Sequence, residues 1–121
     1  MNTNEIATSF LNTYYTTMMQ SRDQLLNFYT DSSMLTYEGK NFSGLKEIKE
    51  KIESFSFKSI NFNFSEYDLQ PSPYPNGLLI FVTGTLVMDN ENTFNFAHCF
   101  QLLPNNQSYY IHNEMFRFIL N

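Results

Sequence analysis

The chain has 121 residues, among them 13 Phe and 8 Tyr, and a formal net charge of -5 at pH 7. Seven basic residues in an acidic chain argue against nucleic-acid binding, which depends on Lys and Arg contacts with phosphates, and favour a basic protein partner. Cys99 is the only cysteine, which excludes an internal disulfide and a cluster of thiolate metal ligands. There is no signal-peptide pattern and no apolar run long enough to cross a membrane. We therefore expect one intracellular domain, residues 1–121, without membrane insertion.

The amino-terminal part of the chain predicts two helices. Apolar residues recur every four positions from Ile6 to Met18, which is typical of one long amphipathic helix. Asn2 and Glu5 resemble a capping pair at its start. The stretch Ser21–Gln24 has the spacing of a second capping box and predicts a short helix after it.

A hairpin and a third helix are predicted next. Asp31–Ser33 breaks the helical pattern, and Met34–Phe42 then reads as two short strands joined by a turn at Glu38–Gly39. The third helix begins after Ser43–Gly44. Its lysines and glutamates are predicted to face solvent, with Lys51 paired to the glutamate one turn earlier.

The second half of the chain predicts a sheet, because the apolar period changes to two. A slip of phase at Ser65–Glu66 predicts a bulge. Four long antiparallel strands are predicted, around Ile60–Leu69 and at Leu78–Met88, Thr93–Leu103 and Tyr109–Leu120. Helices followed by such strands indicate an α+β fold. The second and fourth of these strands are apolar on both faces, so we expect a second copy of the chain to cover the outer face.

The histidines offer one candidate for catalysis. His98 lies on the aromatic side of its strand, where a carboxylate such as Asp68 could orient it as a general base. The alternative is a hydrogen-bonded core histidine, and no spacing motif for a catalytic, nucleotide-binding or metal site supports the catalytic interpretation. Cys99 alternates with His98 and faces the opposite side, which argues against a nucleophilic pair. We therefore expect no catalytic residue, metal or cofactor.

Acidic residues are predicted at the tips of two hairpins. Glu38 follows Tyr37 at one tip, and Asp89 and Glu91 follow a long apolar strand at the other. If both tips lie at one end of the domain, the three carboxylates ring an aromatic patch. Such a patch suits a partner that presents Lys or Arg around an apolar side chain. The alternative is a pair of ordinary polar turns.

Several stretches, in this order and spacing, resemble the nuclear transport factor 2 family. They are SFLNTYYTTM, LTYEGKNFSG, FKSINFNFSEYDLQPSP, GTLVMDNE, FNFAHCFQLL and NEMFRF, and the resemblance covers nearly the whole chain. It implies an NTF2-like cone, in which three amino-terminal helices pack on a strongly curved antiparallel sheet with a cavity at its mouth. It also implies a homodimer through the outer sheet face, where Phe81 and Met115 match interface positions.

The resemblance implies a site for the GTPase Ran in its GDP form. Glu38 would take one basic residue of Ran, and Asp89 with Glu91 would take another. An aromatic residue of Ran would enter the cavity, which Tyr37 and Phe116 would help to line. Members of the family often carry His where this chain has Phe62, close to the same site.

The resemblance also implies a second partner and a location. Family members carry Ran through the nuclear pore into the nucleus and bind Phe-Gly repeats of nucleoporins, so we expect this chain in cytoplasm, nucleus and nuclear envelope. A Trp near the amino terminus often helps to hold those repeats. Here that position falls near Thr3, and the chain has no Trp.

Two other functions stay open at this point. The same cone hosts small enzymes of the isomerase and dehydratase type, which would need a histidine or carboxylate deep in the cavity. The chain could also be one subunit of a heterodimeric messenger-RNA export adaptor.

Overall fold

The computed structural model describes residues 2–120, apart from the side chain of Ser65. The helices are α1 (Thr3–Gln20), a 3-10 helix (Arg22–Phe28) and α2 (Gly44–Glu53), so all three predicted helices form. No helix within residues 2–120 is long and apolar enough to span a membrane.

The two predicted caps have different outcomes. At the start of α1, the Asn2 Oδ1 atom accepts a hydrogen bond from the Glu5 backbone N–H at 2.9 Å, which confirms the first cap. Ser21 makes no capping bond with its side chain. Instead the Gln24 backbone N–H donates to the Ser21 carbonyl at 2.8 Å. This second capping box is therefore wrong, because the tight 3-10 turn uses backbone groups for the contact.

Six strands form one sheet in the order β2-β1-β6-β5-β4-β3. They are β1 (Tyr29–Tyr37), β2 (Lys40–Ser43), β3 (Ile60–Pro71), β4 (Leu78–Met88), β5 (Asn92–Asn105) and β6 (Ser108–Ile119). β1 and β6 run parallel, and the other neighbours run antiparallel. The predicted antiparallel pairing of the four long strands is confirmed, and the parallel pairing of β1 with β6 makes the curved sheet a mixed one. β1 pairs with β2 along one edge and with β6 along the other. The direction of β6 is set by its antiparallel pairing with β5, and in this direction β6 runs parallel to β1.

The segment Asp31–Ser33, predicted to be a break, lies inside β1. The pairing of β1 with β6 is interrupted between Tyr29 and Met34, which explains the broken pattern in the sequence. Ser33 is buried there, and its hydroxyl accepts a hydrogen bond from the Thr30 N–H at 2.9 Å. Polar side chains thus provide hydrogen-bond partners for backbone groups where the pairing of β1 with β6 is irregular.

The pairing register assigns side chains to the two faces of the sheet. One row of paired residues on the inner face consists of Val82, His98, Phe116 and Tyr37. The residues that precede these in β4, β6 and β1, together with Cys99 in β5, form a row on the outer face: Phe81, Cys99, Met115 and Thr36. α1 covers the inner face, where its buried residues Leu11, Tyr14 and Tyr15 join the core. The outer-face position expected of Phe81 is confirmed, because Phe81 is exposed while its neighbours Ile80 and Val82 are buried.

The predicted bulge in β3 is confirmed, because the register with β4 shifts between Phe64 and Glu66. Gly84 lies opposite this shift. A Cβ atom at Gly84 would lie 2.4 Å from the Asn63 carbonyl oxygen and 2.6 Å from the Phe64 Cα atom. Both are backbone atoms that cannot move aside cheaply, so the close approach of β3 and β4 requires glycine at this position.

Candidate functional site

The helices and the inner sheet face enclose a cavity near the ends of β1 and β4. Tyr37 at the end of β1 and Met88 at the end of β4 both line this cavity, together with Phe55 and Phe57 from the segment after α2. The two acidic tips that follow Tyr37 and Met88 therefore border the same cavity. The volume of this cavity that the centre of a water molecule can reach is about 30 Å³. That is room for about one water, whereas a cavity of about 150 Å³ holds benzene.

The three aromatic residues predicted to line the site all reach this cavity. The Tyr37 ring stacks on the Phe116 ring with 5.2 Å between the centroids and 6° between the planes. Phe62 contacts Tyr15 at 4.7 Å between the ring centroids. The structure thus brings these residues together, and their part in binding a partner stays a prediction.

Glu38 occupies an unfavourable backbone conformation at the first tip. Glu38 and Gly39 have φ values of 50° and 85°, as expected of a two-residue type I′ turn. Every other non-glycine residue with positive φ in the part of the chain that the structure describes is Asn or Asp, types that tolerate this region. A glutamate there costs about 1 kcal/mol. Its carboxylate is exposed and makes no hydrogen bond or ion pair within residues 2–120, so local stability does not account for it.

Asp89 has a structural contact at the second tip in addition to its charge. It lies in a turn in which Asp89 and Asn90 both have positive φ. Its Oδ1 atom accepts hydrogen bonds from the backbone N–H groups of Lys58 and Ser59 at 2.8 and 2.9 Å. The bonds from Ser59 and Lys58 lower the pKa of Asp89 below its ordinary value, so the carboxylate is charged at neutral pH. Glu91 is exposed beside it.

The double role of Asp89 predicts different outcomes for two substitutions. Asp89→Asn should melt close to the unaltered protein at pH 7, because the amide oxygen accepts the same bonds and Asn tolerates positive φ. Asp89→Ala should melt at a lower temperature, because it removes the acceptor. If Asp89 also contacts a basic partner, as the family resemblance implies, both variants should bind that partner about tenfold more weakly, because both lose the charge. Circular dichroism melting and calorimetric titration measure the two effects, and equal melting temperatures for both variants would contradict the structural role.

A buried polar network lies at the inner end of the cavity. Glu114 and His98 are only 3% and 2% exposed. The Glu114 carboxylate accepts hydrogen bonds from the Tyr14 hydroxyl at 2.7 Å, from the His98 Nε2 atom at 2.6 Å and from the Tyr29 hydroxyl. The Tyr15 hydroxyl lies 2.9 Å from the other ring nitrogen of His98. The network therefore satisfies its own polar groups.

The prediction that Asp68 could orient His98 is wrong. Asp68 pairs with Phe81 across β3 and β4, and neighbours of this kind point to the same face, so Asp68 lies on the outer face. Glu114 holds His98 instead, and it was not among the residues predicted to form the site. Alternation along β6 could have predicted this, because Glu114 is two and four residues from the inward-facing Phe116 and Phe118 and so points to the same face.

The buried tyrosines predict unfolding in alkali. Burial, assisted by the charge of Glu114, raises the pKa of Tyr14, Tyr15 and Tyr29 well above 10. The same phenols ionise near pH 10 in the unfolded chain. Their contribution to stability is therefore complete below pH 10 and is lost above it, by about 1.4 kcal/mol per pH unit for each tyrosine.

We expect tyrosinate absorbance and circular dichroism to change together in one cooperative transition above pH 10. Ionisation of all eight tyrosines with the fold intact would contradict this account.

The outer face of the sheet carries an exposed apolar patch. Phe81 and Met115 are 44% and 54% exposed, and Leu79 and Met34 lie in the neighbouring row. Cys99 sits between Phe81 and Met115, so it faces away from His98 as predicted. Large apolar side chains grouped on a sheet face mark an interaction surface.

Comparison with known proteins shows the family. The family model for the Nuclear transport factor 2 (NTF2) domain matches residues 6–118. The chain belongs to the nuclear transport factor 2 family. Nuclear transport factor 2 of Candida albicans is 39% identical over 115 residues, which are 94% of this chain and 93% of that protein. Nuclear transport factor 2 of Debaryomyces hansenii is 40% identical over 116 residues, with the same two shares.

A solved structure extends this similarity to the fold. Nuclear transport factor 2 from Cryptosporidium parvum superposes with a TM-score of 0.92 at 34% identity, covering 96% of this chain and 94% of that chain. The resemblance to the nuclear transport factor 2 family and the α+β cone are thus confirmed. The general function of this chain is that of the family, nuclear transport.

Proposed function

We propose that this chain binds Ran in its GDP form and carries it through the nuclear pore into the nucleus. The site would consist of Glu38 on one side of the cavity, Asp89 and Glu91 on the other, and the aromatic lining between them. The observation that carries the proposal is Glu38. It is an unpaired carboxylate held at positive φ against its own preference, beside an aromatic cavity. Residues kept in such conformations concentrate at functional sites.

Charge and shape support the same partner chemistry. The net charge of -5 attracts a basic partner over a distance. Acidic tips on both sides of the cavity would then fix the orientation of basic side chains. The free space admits about one water, so the rings that line the cavity would have to move apart to take an aromatic side chain between the tips. Tyr37, Phe62 and Phe116 line the cavity and would contact that ring.

We infer that the chain also binds Phe-Gly repeats of nucleoporins and moves between cytoplasm, nucleus and nuclear envelope. The family similarity supports this partner. Thr3, where members often carry Trp, begins α1 and is exposed. Without an aromatic residue there, other aromatic side chains have to contact the repeats.

We propose that a second copy of the chain covers the outer-face patch of Phe81 and Met115. Exposed apolar residues on the outer face of the sheet support a symmetric pair, in which one patch meets its own copy. The heterodimeric adaptor alternative would use the same face for another chain. A protein that sediments as a monomer by itself would favour that alternative.

Met115→Glu tests the homodimer. A carboxylate at the centre of the patch would be buried without a partner in each subunit, so we expect monomers at concentrations where the unaltered protein is dimeric. Asn12→Glu adds the same charge on the exposed side of α1 and should stay dimeric. Analytical ultracentrifugation distinguishes these results, and a Met115→Glu dimer would contradict the assignment of this face.

We propose that the chain acts by binding, without catalysis. The buried His98–Glu114 pair is the one feature in residues 2–120 that favours an enzyme of the isomerase or dehydratase type. Its polar atoms are already bonded to one another and to Tyr14, Tyr15 and Tyr29. The network therefore has a structural explanation.

Calorimetric titration with Ran, loaded once with GDP and once with GTP, tests the proposal. We expect binding of the GDP form alone. Absence of binding to either form would overturn the carrier function while leaving the fold and the family assignment unaffected.

A further inference from the structure

Three aromatic rings form a cage around the ammonium group of Lys51. The Lys51 Nζ atom lies 4.5 Å from the Tyr37 ring centroid, 5.4 Å from that of Phe55 and 5.6 Å from that of Phe42. The rings come from the end of β1, from β2 and from the segment after α2. All three distances lie within the range of a cation–π interaction.

Within residues 2–120, the Lys51 ammonium makes no hydrogen bond or ion pair in addition to the cage. Its predicted partner Glu47 is occupied, because the Glu47 carboxylate accepts a hydrogen bond from the Ser43 backbone N–H at 2.8 Å. The one ion pair within residues 2–120 joins His98 and Glu114. The prediction that Lys51 faces solvent and pairs with a glutamate is therefore wrong, because rings from the hairpin reach over α2 and half-bury the side chain.

The cage and the proposed partner site share Tyr37. This ring stacks on Phe116 at the cavity and also faces the Lys51 ammonium. Glu38 is the next residue in the chain. A basic side chain that binds Glu38 thus arrives beside a ring that already holds a cation, and two cations in one small cage repel each other.

We propose that Lys51 is an internal competitor for the site: its ammonium occupies the Tyr37–Phe42–Phe55 cage in the free protein, and a cationic side chain of the bound partner takes its place. This inference rests on the proposed binding of a basic partner at Glu38. Binding of the partner has to break the cation–π contact of Lys51 with the cage. This lowers the affinity for the partner by about two- to thirtyfold. A merely structural Lys51 would have the opposite effect, because its loss would loosen the hairpin and weaken binding.

Calorimetric titration of Ran–GDP into Lys51→Met and Lys49→Met tests the sign of this effect. Both variants lose one positive charge from α2, so long-range attraction changes equally, but Lys49 is fully solvent-facing and only Lys51→Met empties the cage of its cation. We expect Lys51→Met to bind at least about threefold more tightly than Lys49→Met. Equal or weaker binding by Lys51→Met, with circular dichroism melting unchanged, would overturn the proposal.

A second measurement separates this inference from the proposed function. If the unaltered protein does not bind Ran–GDP, the carrier function fails, and tetramethylammonium then serves as the probe for the cage. We expect it to shift the nuclear magnetic resonance signals of the Tyr37 and Phe55 rings in Lys51→Ala and to leave those of the unaltered protein in place. The same response in both proteins would overturn the inference.

Discussion

Glu38→Lys should abolish the binding of Ran–GDP and leave folding and dimerisation intact. The substitution replaces an unpaired carboxylate at the cavity with a charge that repels a basic partner. Reversal of a charge at a close pair costs several kcal/mol, so the affinity should fall by more than about a hundredfold. Calorimetry measures the loss, and sedimentation with circular dichroism checks the fold.

Glu38→Asn is the matched control for this prediction. Asn tolerates the positive φ at this turn, so the variant should be more stable than the unaltered protein by about 0.5–1 kcal/mol. It should also bind Ran–GDP more weakly, because it removes the charge. A gain in stability with a loss of binding would show that the glutamate is kept for its partner. A variant that binds as well as the unaltered protein would count against the assignment of Glu38.

Glu114→Leu should destabilise the protein by about 3 kcal/mol or more. It removes the acceptor of three hydrogen bonds and leaves the Tyr14 and Tyr29 hydroxyls and a nitrogen of His98 buried without a partner. Part of this cost is offset, because the carboxylate no longer has to be desolvated. Urea unfolding measures the difference in the free energy of unfolding.

Glu114→Gln is the control for the loss of Glu114. The amide oxygen of Gln still accepts hydrogen bonds from two of the donors, whereas its NH₂ group faces the third. We therefore expect a loss of stability smaller than that of Glu114→Leu. If Glu114→Leu were as stable as the unaltered protein, the network would contribute nothing to the fold. The enzymatic interpretation of the cavity would then deserve a direct assay.

The local pattern of the sequence is enough to place most strands and to assign their faces. In β4, alternation correctly separates Ile80 from Phe81, because side chains in a strand point to opposite faces in turn. The bulge beside Glu66 was also visible as a slip in that alternation. These features depend only on neighbours in the chain.

Features that depend on distant parts of the chain were missed. Nothing in the sequence of β1 indicates that β6 is its parallel neighbour. Glu114 appears as one polar residue in an apolar strand until α1 and β1 bring two tyrosines to it. Lys51 lies on the charged side of α2, and only the fold of the hairpin places rings around it. Each of these contacts needs a partner that is remote in sequence.

The parallel pairing of β1 with β6 has a consequence for how the protein is made. β1 is synthesised early, yet one of its two neighbours is the last strand of the sheet. Until β6 leaves the ribosome, one edge of β1 has no strand to pair with, and the apolar core surface that Ile111 and Phe116 cover is open to water. We therefore expect the cone to close only after β6 has left the ribosome, in a slow step dominated by long-range pairing. Nascent chains that lack β6 should be sensitive to protease and bound by chaperones along this apolar surface.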